Sequence, residues 1–88
     1  MASFPGGSAY AMVRDIAEGY SLVTERTFTR FDRGDLGQIQ FEIDRYMREV
    51  RGDQPALDDM AAIQKRNRKI QRLNTALVVL RSYQQRRK

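Results

Sequence analysis

The stretch DLGQIQFEIDRYMREVRGDQP, residues 35–55, decides the fold class. Its large apolar residues Leu36, Ile39, Ile43, Tyr46 and Val50 follow one another at steps of three, four, three and four. That is the spacing of a helix that buries one narrow seam and leaves the rest of its circumference polar. Asp35 precedes the first apolar position and Gln38 follows it by three, so helix B is predicted over about 36–51 with Asp35 as N-cap of a capping box. Gly52 is expected to end it in the left-handed conformation.

Downstream, helix C is predicted over about 55–86. Pro55 suits a first helical turn, where its missing N–H has no partner to lose. Asp53, Asp58 and Asp59 place negative charge at the positive end of the helix dipole, and Arg81, Arg86, Arg87 and Lys88 place positive charge at the other. Met60, Ile63, Ile70, Leu73, Leu77 and Leu80 carry the apolar face, which drifts around an ideal helix as a seam with a 3.5-residue repeat does. No glycine or proline interrupts Ala56 to Lys88, so about 30 residues span roughly 45 Å. Two such helices joined through Gly52-Asp53-Gln54 predict an antiparallel coiled-coil helical hairpin.

Upstream, Pro5-Gly6-Gly7 marks residues 1–7 as a flexible arm, and Ser8 can cap the next segment. Val13, Ile16, Ala17, Tyr20, Val23 and Thr27 recur at helical steps and predict a helix A over about 8–31. Gly19 and the β-branched threonines weaken it, and residues 27–31 also suit an extended strand. The expectation is therefore an all-α protein: a single domain over 8–88 of three helices, a short N-terminal one and then the hairpin, the third helix being the longest.

Composition narrows the function. With 88 residues the chain buries about 60–65% of its unfolded surface and leans on every contact it can make. It has no cysteine and no histidine. A disulfide framework, a thiol nucleophile, histidine-based triads and the common zinc sites are thereby excluded. No stretch approaches the roughly 18 apolar residues of a membrane span. Arg14, Asp15 and Glu18 break any signal-peptide core near the start, which points to an intracellular, cytoplasmic location. The Asp58-Asp59 pair diverges by 100° on a helix and cannot share one site, and Glu42, Arg45, Arg48 and Glu49 read as surface ion pairs. No catalytic residue, metal site or cofactor is expected.

The net charge of +5 conceals a division. Residues 1–59 hold seven arginines against eleven carboxylates, a net of −4, whereas residues 60–88 hold nine cations and no acid. Within the second part, Lys65, Arg68, Lys69 and Arg72 fall within about 100° of one another on a helix, opposite the apolar seam. Such a stripe suits phosphates, an acidic protein surface or anionic lipid, and equally a solvated face. Base-stacking aromatics are not interleaved with it. Asn67 and Asn74 flank the seam at a spacing of seven, where a polar residue can set register, and the Arg66 stem can lie along apolar surface.

Arg-Gly-Asp occurs at 33–35 and at 51–53. Both copies sit where a helix junction is expected, with arginine at one helix end, glycine at the stop and aspartate at the next cap. Helix B covers only half of helix C, so Leu73, Leu77, Leu80 and Tyr83 need a further partner: segment A, a second copy or another protein. The expected function is a non-enzymatic interaction or structural subunit binding a protein partner or homo-oligomer through Leu73, Leu77, Leu80 and Tyr83. The alternative is a nucleic-acid-binding protein that contacts phosphates through Lys65, Arg68, Lys69 and Arg72.

Overall fold

A computed structural model describes residue 4 and residues 7–86. These form four helices: α1 (Ala9–Glu18), α2 (Glu25–Phe28), α3 (Arg33–Gly52) and α4 (Met60–Arg86). There is no strand among the described residues. The protein is all-α and its last helix is long, as its apolar spacing requires. The arm expected over 1–7 lies outside the described residues except at Phe4 and Gly7, and Phe4 stacks on Phe31 with ring centroids 5.3 Å apart.

Segment A is two helices rather than one. Ser8 caps α1 as expected, its hydroxyl accepting from the Ala11 N–H at 3.1 Å. At the other end Gly19 adopts φ +86°, the Gly19 N–H donates to the Ile16 carbonyl and the Tyr20 N–H to that of Asp15. This paired closure needs a left-handed residue, which glycine supplies at little cost. The chain therefore leaves the helix at residue 19, and Tyr20, expected on the apolar face, is exposed instead. After an irregular link, a reciprocal cap between Thr24 and Thr27 starts the single turn α2. Residues 27–31 are thus helical only to Phe28; Phe28 and Phe31 are both buried.

The apolar seam of α3 is buried at every expected position: Leu36, Ile39, Ile43, Tyr46 and Val50. Its cap lies three residues earlier than the spacing suggested. Asp32 is the N-cap; the Asp35 N–H donates to Asp32 Oδ1 at 2.8 Å and the Asp32 N–H to Asp35 Oδ2 at 3.3 Å. Asp35 is the third member of the capping box and is buried, so the first Arg-Gly-Asp belongs to a helical turn. The second copy does lie at a helix end, but Gly52 is the last helical residue and its φ is not positive.

Residues 53–59 form a connection, and α4 starts at Met60 rather than near Pro55. Its first amides are served by Asp59, whose Oδ1 accepts from the Ala62 N–H at 3.1 Å. Helix α4 returns along α3 as a hairpin and also packs on α1 and α2. One apolar core joins Met12, Val13, Ile16 and Ala17 of α1, Phe28, Phe31, the α3 seam, and Leu73, Ala76 and Leu80 of α4. The uncovered half of α4 is therefore covered by segment A.

Candidate interaction surface

The residues expected to bind a partner are largely inside. Leu73 and Leu80 have no accessible surface. Leu77 and Tyr83 are half-buried against the same core, and the Tyr83 ring lies 6.3 Å from that of Phe28. In this arrangement Leu73 and Leu80 offer nothing to a second chain. Met60, assigned to the apolar seam, is exposed because α4 has only just begun where α3 ends.

Arg86 near the end of α4 pairs with Glu25 of α2, and the five basic residues from Lys65 to Arg72 divide into two groups. Three of them fasten helix ends. Arg66 Nε donates to the carbonyls of Val50 (3.2 Å) and Asp53 (2.9 Å), and its Nη2 donates to that of Arg51 (3.0 Å). They lie where α3 stops and its amide donors run out, the Val50 carbonyl also accepting from the Asp53 N–H at 3.2 Å, and a cation there also opposes the helix dipole. Arg72 does the same for α1, its Nη1 donating to the Ala17 carbonyl at 3.0 Å. Beside it the Lys69 ammonium lies 3.0 Å from Glu18. The hydrogen bond to Glu18 holds Lys69 above the ordinary lysine pKa, against the opposing effect of burial. Burial raises the neighbouring Tyr46 phenol, with Lys69 acting in the other direction.

Lys65 and Arg68 form the second group: both are exposed and neither has an ion pair or hydrogen bond among the described residues. The four predicted cations do line one side of α4 and, with Glu18 and Ala61, enclose a shallow polar hollow. The solvent face from Gln64 to Thr75 presents Lys65, Asn67, Arg68, Gln71, Arg72 and Asn74, all exposed, and no carboxylate. Asn67 and Asn74 belong to this water-facing arc and not to the seam.

An apolar groove that the sequence reading missed lies between α4 and the 19–24 link. Its volume is about 370 Å³, and Ile16, Leu22, Val23 and Ala76 supply its apolar lining, with Arg72 among the polar residues beside them. Leu22 stands at the rim 92% exposed. Val78 is 63% exposed one turn beyond Thr75 on the outer side of α4. Once Gly19 is read as a helix stop, Leu22 falls in a connection with no helical face to bury it; that was the available signal.

Carboxylate geometry offers no acid–base pair. Glu42 is buried with Oε1 3.5 Å from Arg45, while Oε2 has no hydrogen-bond partner; Glu49 meets Arg45 at 3.7 Å. Arg48 turns instead to the Asp44 carbonyl. Among the described residues no group of three acidic side chains is placed to hold a metal ion, and no helix is long and apolar enough to cross a membrane. Comparison with protein-family models, curated proteins and solved structures found no match to this chain.

Proposed function

We propose that this chain is a non-enzymatic protein-interaction subunit and that it meets its partner at the groove between α4 and the 19–24 link. The observation that carries this reading is Leu22, a leucine left 92% exposed at the rim of an apolar groove whose floor, Ile16 and Ala76, is buried. Covering Leu22 and Val78 would remove apolar surface from water at about 25 cal/mol per Å². The Leu73–Tyr83 seam serves this reading indirectly, by fixing α4 against α1 and α2 so that the groove is preformed.

A photo-reactive residue at position 22 or 78 of the full chain, irradiated in its native cells, tests the reading. A discrete polypeptide adduct is expected from both positions. None is expected from position 41, on the side of α3 opposite its buried seam. Absence of adducts at 22 and 78 overturns the proposal.

One observation favours a second reading: the carboxylate-free face of α4 from Gln64 to Thr75. A polyanion such as a nucleic acid suits cations and amides arrayed in this way, each phosphate contact releasing counterions. Lys65→Gln with Arg68→Gln would then weaken binding and flatten its dependence on salt, without altering the Arg66 and Arg72 contacts. Partner binding that survives both changes and is insensitive to salt excludes it.

A further inference from the structure

Charge and exposure single out a second place on the molecule, the connection between α3 and α4. The Asp59 N–H donates to the Ala56 carbonyl at 3.0 Å, closing a turn with Leu57 and Asp58 at its tip. Leu57 is 94% exposed, the most exposed large apolar side chain among the described residues, and Met60 beside it is 60% exposed. From residue 53 to residue 64 the chain holds Asp53, Asp58 and Asp59 and no cation. From residue 65 to residue 86 it holds seven cations and no acid.

The turn and the groove are therefore complementary in both respects. One is an apolar knob with a carboxylate beside it. The other is an apolar trough lined in part by Arg72, which also borders the hollow where Lys65, Arg68 and Lys69 outnumber the single carboxylate Glu18. They cannot meet within one molecule. The turn runs directly into the start of α4, and the groove opens at Gln71 to Ala76, about 16–24 Å further along a stiff helix.

We infer that the occupant of the groove is the Leu57 turn of a second copy of this chain. This rests on the protein-interaction reading above and names the partner. Leu57 enters the trough between Leu22 and Ala76, and Asp58 faces Arg72 of the receiving copy. Knob and trough are different surfaces, so two copies can exchange them reciprocally in a closed dimer, or each copy can give its turn to one neighbour and its groove to another. The second arrangement closes into a ring or extends into a filament.

Complementation between variants tests this. Leu57→Asp spoils the knob and Leu22→Asp the trough, and both residues are so exposed that the fold is expected to survive, as circular dichroism would verify. In sedimentation velocity over a concentration series, the unaltered chain is expected to associate and each variant alone to stay monomeric. An equimolar mixture is expected to form a heterodimer and nothing larger, because one intact knob meets one intact trough. A monomeric unaltered chain, variants that associate as it does, or a mixture that stays monomeric each overturns the inference. If the chain is monomeric while position 22 cross-links to a different polypeptide, only the inference falls. If position 22 also gives no adduct, the interaction reading falls with it.

Discussion

The two halves of α4 are held in place by different means. From Leu73 onward the helix is fastened chiefly by apolar burial, with Leu73, Ala76 and Leu80 all inaccessible, and one exposed ion pair, Arg86 to Glu25 of α2, is added near its end. From Met60 to Arg72 it has no fully buried residue and is fastened by three cations that reach the ends of other helices. Apolar burial is indifferent to direction and only asks that surfaces fit. Carbonyls at a helix end are few, directed and fixed in place, so cations that serve them also set where α4 lies along α3 and α1. The difference teaches that a basic helix can spend much of its charge on its own fold.

The largest test removes apolar contact. Leu73→Ala is expected to cost about 2–5 kcal/mol, a large share of the stability of a small domain, whereas Ile63→Ala in the half-exposed part should cost distinctly less. Urea denaturation measures both, and equal costs would break the distinction between the halves. Next, Arg66→Ala removes the guanidinium from the Arg51 and Asp53 carbonyls and leaves Val50 with only the Asp53 N–H, at about 1–3 kcal/mol. Arg66→Lys is expected to recover little, since an ammonium cannot reproduce a planar fork across three carbonyls. Hydrogen exchange should show α4 from Met60 to Arg66 opening first.

Gly19→Ala should cost about 1 kcal/mol from the left-handed backbone alone. More follows because the added Cβ would lie 2.9 Å from Arg72 Cζ and displace the guanidinium. The double change with Arg72→Ala is then expected to cost less than the two single changes together, which a double-mutant cycle measures. The smallest effect concerns pH. Lys69 binds its proton more tightly folded than unfolded, so its contribution is complete below the ordinary lysine value and is lost as pH rises through the folded one. Tyr46, raised by burial, moves stability in the same direction. Lys69→Gln should remove a few tenths of a kcal/mol of this alkaline loss and Tyr46→Phe a further part, read from melting between neutral and alkaline pH.

The difference between the halves also explains what the sequence discloses. The α3 seam was legible because a repeated apolar spacing is local and nothing else in the chain overrides it. The length and apolar positions of α4 from Leu73 onward were legible for the same reason. Gly19 was not: glycine can sit within a helix or end one, and spacing alone does not say which. Phe28 and Phe31 escaped because a single turn has no period to detect. Asp59 could have been found as the cap of α4, since it stands directly before Met60. The roles of Arg66, Lys69 and Arg72 were invisible to periodicity, because their partners are backbone carbonyls and a carboxylate on other elements.

The guanidinium of Arg72 lies where any side chain at residue 19 would have to be. Positions 19 and 72 are therefore one character for inheritance rather than two. While arginine occupies 72, a side chain at 19 must push that guanidinium aside, away from the Ala17 carbonyl. Should 72 become small, that steric obstacle disappears and asparagine, which tolerates the left-handed conformation, becomes admissible at 19. A substitution at 19 that comes first is expected to cost the Arg72 contact with the Ala17 carbonyl as well.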